Sequence, residues 1–99
     1  MTGAFAPLVE AHRSEMLEFL GRVVGMESPT AEKRHVDAVI DVFADAYQKL
    51  GFACRRLPQR EYGDHLVADS PDGAGPRVLL VGHADTVYGL GTLGSMPLR

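Results

Sequence analysis

The stretch "RVLLVGHADTVYGLGTLG", residues 77–94, decides how the rest of the chain is read. Val78 to Val81 form a continuous apolar run, the pattern of a strand covered on both faces. Two candidate sites follow it. His83 and Asp85 form H-x-D. Gly89, Gly91 and Gly94 spell G-x-G-x-x-G.

The glycine string makes structural demands. A dinucleotide fingerprint needs its first glycine directly after a strand and its last at the opening of a helix. It also needs an acidic residue about 20 positions further on. Seven residues separate Val81 from Gly89. The segment after Gly94, "SMPLR", contains Pro97, shows no helical period, and holds no such acidic residue. The reading that fits is a flexible glycine loop leaving a strand end.

The H-x-D pair meets its own demands better. In extended backbone, residues i and i+2 point to one side. His83 can offer one imidazole nitrogen to a metal while Asp85 accepts a hydrogen bond from the other, which fixes the tautomer and raises ligand basicity. The pair sits past the C-terminal end of the expected strand, where open α/β sheets bind ligands. Gly82 and Ala84 leave room for close approach. On spacing alone, an Asp85-Thr86 turn cap stays an alternative.

Upstream, Leu8 to Val24 reads as a helix with Val9, Met16, Phe19, Leu20 and Val23 near one face. Pro7 suits its first turn and Gly25 its stop. "MESPT" is a loop in which Ser28 or Thr30 can cap the next helix. That helix runs from Ala31 to Leu50 on a stripe of Val36, Val39, Ile40, Phe43, Tyr47 and Leu50, and Gly51 suits a left-handed stop. Strands are expected at 52–57 and 65–69, followed by the turn cluster "SPDGAGP" and the apolar run. From Gly82 onward no periodic element is visible. The fold class is therefore α/β: two N-terminal helices, then a mixed sheet.

Composition narrows the function. At 99 residues the chain is one small domain or a piece of a larger one, and 45% hydrophobic residues suffice for a core. A net charge of −3 with scattered basic residues gives no footprint for nucleic acid. No basic, apolar leader opens the chain and no run reaches membrane-spanning length, so the expected location is cytoplasmic, with no membrane partner. Cys54 is the single cysteine, which excludes an internal disulfide framework and a cysteine-based zinc cage. It reads as a small core residue. His12, His35 and His65 fall on helices or a strand start and read as surface or packing histidines.

The string from Arg77 to Arg99 resembles the zinc-dependent aminoacylase and carboxypeptidase family, its glutamate-carboxypeptidase branch in particular. The shared parts are the apolar strand, His83-Ala84-Asp85-Thr86-Val87, the glycine loop around Gly91, and Pro97-Leu98-Arg99. "MESPT" after the first helix and "LGF" at the end of the second are similar too. The resemblance spans nearly the whole chain, though only residues 77–99 are specific. It implies an incomplete N-terminal part of a three-layer zinc-peptidase-like catalytic domain, with a smaller domain inserted later. It implies two zinc ions, or other divalent metals, in the complete site. His83 would be a metal ligand and Asp85 the active-site carboxylate supporting it. The substrate would be a small peptide or N-acyl amino acid, hydrolysed at its amide bond.

The family's bridging aspartate, glutamate pair and further ligands have no counterpart in residues 1–99. The isolated chain is therefore expected to be inactive and to bind zinc weakly or not at all. An exposed sheet edge is expected to drive self-association. A different class of function, a non-catalytic α/β interaction module keeping H-x-D as a relic, stands beside the enzyme reading.

Overall fold

The computed structural model describes residues 3–71 and 73–98. Asp72 of the turn cluster and Arg99 of the Pro-Leu-Arg segment lie outside the described residues, as do Met1 and Thr2. The architecture is mixed α and β. Helices α1 (Phe5–Ala11), α2 (Arg13–Val24) and α3 (Lys33–Lys49) precede strands β1 (Ala53–Leu57) and β2 (His65–Asp69), and a short α4 (Thr92–Ser95) follows.

The single helix expected over residues 8–24 is two. His12 breaks it at φ −108°, ψ 8°, outside helical geometry. Nothing in the structure explains the break; His12 Nδ1 pairs with Glu15 at 3.3 Å. Pro7 does fall in the first turn of α1, where its missing N–H costs no bond. Helix α2 docks on α3 through Phe19 and Phe43, whose rings meet edge to face at 5.4 Å.

Helix α3 carries the core. Val36, Val39 and Val42 are its buried residues, one turn apart in succession. Val42 was not in the expected stripe, and Leu50, which was, is exposed. The helix ends at Leu50 and the chain reverses through Gly51 at φ +88°, a conformation glycine adopts without strain.

The buried face of α3 rests on the β1–β2 hairpin, paired antiparallel with Cys54 opposite Ala68 and Leu57 opposite His65. Cys54 is half-buried with Sγ 3.9 Å from the Ala44 carbonyl of α3, as a small packing residue would be. Gly63, in the hairpin connection, lies against Val36 so closely that a Cβ there would sit 2.2 Å from Val36 Cγ1.

Charges fasten the same connection. Asp64 accepts from Lys33 Nζ at 2.6 Å, from Arg56 Nε at 3.2 Å and from the Gln59 amide at 2.9 Å. Its own amide donates to Asp37 Oδ1 at 2.8 Å. The Lys33 ammonium beside it, with these other donors, pulls the Asp64 carboxyl down to about 2. Arg56 also reaches Asp41 at 2.6 Å.

The expected mixed sheet is corrected. Among the described residues the sheet has two strands, paired antiparallel. Residues 78–81 join no strand and are 83–87% exposed. The hydropathy pattern states that such a run needs cover; it does not state where the cover comes from. Among the described residues, none is paired with it. The consequence shows in the whole surface. The chain exposes 8042 Å² at 10.7 kDa, whereas a compact monomer of that mass exposes about 5,500 Å². The radius of gyration is 15.6 Å, against about 12.6 Å for a compact chain of this length.

Candidate functional site

His83 and Asp85 meet as their spacing requires. His83 Nδ1 lies 3.2 Å from Asp85 Oδ1 and 2.9 Å from the Asp85 carbonyl oxygen. Both neighbours are acceptors, so the arrangement favours a proton on Nδ1 and leaves the Nε2 lone pair outward. The imidazole is 81% exposed, while the Asp85 side chain is 34% exposed. One nitrogen is thus fixed by a carboxylate and the other is open to a ligand, the arrangement that supports a metal-binding histidine.

The other Asp85 oxygen is fixed as well. Thr30 Oγ1 donates to Asp85 Oδ2 at 2.6 Å, in the short range of a hydroxyl bonded to a charged acceptor. This bond is the largest cause holding the Asp85 carboxyl below its ordinary value, with the His83 contact adding to it. The chain His83–Asp85–Thr30 therefore aims one imidazole through one carboxylate.

Sequence reasoning gave Ser28 and Thr30 a different task. Neither caps α3, whose N-cap is Glu32 and carries no side-chain cap bond. Ser28, buried, donates Oγ to the Ala84 carbonyl at 2.8 Å. The Thr86 amide donates to the Ser28 carbonyl at 2.8 Å, and the Thr30 amide to the Thr86 carbonyl at 3.0 Å. Pro29 and Thr86 thus form a short parallel bridge. The loop after α2 grips the H-x-D segment on both sides. The site stands against this loop, and not at the edge of a sheet as expected.

The glycine loop is anchored separately. The Gly91 and Leu93 amides both donate to the Glu27 carboxylate at 3.0 Å. These two amides hold the Glu27 carboxyl below its ordinary value. Gly91 sits at φ +92°, the one glycine of the string in the left-handed region, and opens α4. The donors that a phosphate would require are already satisfied by Glu27, which counts against a dinucleotide cradle. Thr86 plays the local turn role as well: its hydroxyl accepts the Tyr88 amide at 3.3 Å.

Between α2, α3 and this loop lies a cavity of about 450 Å³. Val39, Phe43, Tyr88 and Leu93 line it, and His83 and Asp85 stand on its wall. The remaining histidines lie on other elements: His12 at the α1–α2 break, His35 on α3 and His65 at the start of β2. Among the described residues no group of three or more His, Cys, Asp or Glu side chains gathers as a metal cage. Among them also, no helix is long and apolar enough to cross a membrane.

Comparisons with protein-family models, with curated proteins and with solved structures find no match for this chain.

Proposed function

We propose that this chain is the N-terminal, metal-edge portion of a zinc-dependent amide hydrolase of the aminoacylase and carboxypeptidase kind, glutamate-carboxypeptidase-like. The observation that carries the reading is the His83–Asp85 contact at 3.2 Å with the second carboxylate oxygen tied to Thr30. In that role His83 supplies one nitrogen to a divalent metal, and Asp85 holds the ring and its tautomer. A pair of zinc ions in a complete site would polarise the substrate amide and supply an activated water. A catalytic zinc takes three protein ligands. The described residues offer one, with its support. They fit one corner of such a site and not the whole, so no hydrolytic step is assigned to them and the 99-residue chain is expected to be inactive. The substrate class is a small peptide or N-acyl amino acid.

The test is a zinc titration followed by ¹⁵N NMR of the histidine rings. Weak binding at His83 Nε2, abolished by His83→Ala, is expected. Tight stoichiometric zinc that survives His83→Ala would sink the assignment. A reading frame running on past Arg99 into an aspartate-bearing glycine-rich segment and a Glu-Glu pair would support the hydrolase. A non-catalytic interaction module is the second reading, and the exposed run Val78–Val81 favours it.

A further inference from the structure

Residues 89–96 are bonded mainly to themselves. Thr92 donates to the Gly89 carbonyl twice, through its amide at 3.2 Å and its hydroxyl at 2.6 Å. The Gly94 amide donates to the Gly91 carbonyl at 3.1 Å and the Met96 amide to the Thr92 carbonyl at 2.8 Å. The Ser95 hydroxyl adds a bond to the Thr92 carbonyl at 3.2 Å. Each of these bonds begins and ends inside the segment. Among the described residues, the hydrogen bonds that leave it reach a single side chain: the Gly91 and Leu93 amides both donate to the Glu27 carboxylate. We propose that residues 89–96 are a hinged lid over the cavity beside His83, and that Glu27 is its latch. The lid is independent of any metal chemistry at His83.

Packing holds the segment lightly. None of residues 89–96 is buried; Thr92 and Leu93 are half-buried and the others are exposed. Beneath them lies the cavity of about 450 Å³, with Leu93 and Met96 on the lid side and Val39 and Phe43 on the helix side. A segment over a void lacks the close contacts that fix a core element, and segments with few buried contacts are the ones that open locally.

Both ends of the segment are pinned, so the motion is a hinge and not a release. Upstream, the Tyr88 amide is held by the Thr86 hydroxyl at 3.3 Å, and Thr86 is bridged to the loop after α2. Downstream, Leu98 returns to α2, with its Cδ2 3.7 Å from the place a Cβ on Gly21 would take. The two hinge points lie just inside these pins. Gly89 has nothing within 4 Å of an added Cβ, and Met96 leaves α4 at φ −131°, ψ 65°. A few residues at element ends are enough to absorb such a rotation. The bonds inside the segment travel with it, so opening breaks the two bonds to Glu27 and leaves the rest. The fastenings of His83 and Asp85 on Ser28 and Thr30 precede the upstream hinge, so the dyad stays in place while the cavity mouth widens.

The test weakens the latch in two steps on the 99-residue chain. Glu27→Gln keeps one acceptor oxygen and Glu27→Ala keeps none, so the lid should open more often in that order. In Glu27→Gln, ¹⁵N relaxation dispersion should give the amides from Leu90 to Met96 one shared exchange rate, while the Thr86 and α3 amides stay flat. The opening itself is read with tert-butyl hydroperoxide, a bulky oxidant of methionine. Met26 is half-buried in the cavity wall, whereas Met16 on α2 is exposed and serves as the internal standard. The rate of Met26 oxidation relative to Met16 should rise about threefold or more in Glu27→Ala, and by less in Glu27→Gln. Exchange rates that differ among the lid amides, exchange that spreads to Thr86, or a Met26-to-Met16 ratio indifferent to Glu27→Ala would each overturn the proposal.

Discussion

Thr30→Val removes one hydroxyl and keeps the side-chain shape, so it removes the 2.6 Å bond to Asp85 together with the weaker 3.2 Å contact to the Thr86 carbonyl. A hydrogen bond to an ionised group contributes about 1.5–3 kcal/mol where water is excluded. Asp85 is 34% exposed, and water replaces part of what Thr30 supplies. The expected loss is therefore about 1 kcal/mol at neutral pH. At a urea slope near 2 kcal/mol/M, the unfolding midpoint falls by about 0.5 M, measured at one fixed protein concentration. The pH dependence gives the sharper reading. The Asp85 carboxyl titrates below its ordinary 3.8 in the folded chain, so its bonds stabilise above that pH and are lost as pH falls through the folded value. The gap between wild type and Thr30→Val should thus be full at pH 7 and shrink below 3.8. Carboxyl ¹³C NMR should show the Asp85 titration move upward in Thr30→Val and return with Thr30→Ser. An Asp85 titration unchanged by Thr30→Val, or a stability gap that ignores pH, would refute the role given to Thr30.

Three further outcomes are expected. Gly63→Ala sets a Cβ 2.7 Å from Val36 Cβ as well as 2.2 Å from its Cγ1, so trimming Val36 to alanine cannot relieve it. A loss of about 1–3 kcal/mol in urea unfolding is expected, and a change within about 0.5 kcal/mol would show that the hairpin connection yields freely. Glu27→Ala strips the acceptor from the Gly91 and Leu93 amides, and hydrogen exchange at those two positions should accelerate while α3 stays protected. Asp64 titrates at about 2 in the folded chain against an ordinary 3.8, so stability present above 3.8 is lost as pH falls toward 2. Asp64→Asn should flatten that acid limb, and an unchanged acid midpoint would remove Asp64 from the account of it.

What the sequence disclosed was what its local spacing encodes. The His83–Asp85 contact needs only an extended backbone over three residues, so H-x-D announces it. The α3 stripe follows one helical period, and β2 occupies 65–69 as its alternation suggests. Ser28 and Thr30 were misread because their partners, Ala84 and Asp85, lie 56 and 55 residues away. No period carries that information, and a small polar cluster after a helix looks like a cap. Glu27 and Gly91 are 64 apart, and nothing local marked them. The run 78–81 was misplaced for another reason: its composition states a demand for cover, which pairing with some other strand must answer.

The site and the uncovered run nevertheless stand next to each other, with Gly82 alone between Val81 and His83. Whether they are coupled depends on what holds the dyad. Its fastenings are Thr30 on Asp85, Ser28 on Ala84 and the Pro29–Thr86 bridge, and none involves residues 78–81. Gly82 packs against nothing and transmits no side-chain contact. Changes to the run and the imidazole orientation should then vary independently, because the two share no partners. Leu80→Lys should leave the His83 tautomer as in wild type, read by ¹⁵N NMR. If Leu80→Lys shifts the proton between the His83 nitrogens, the dyad is held by the strand and not by the loop after α2.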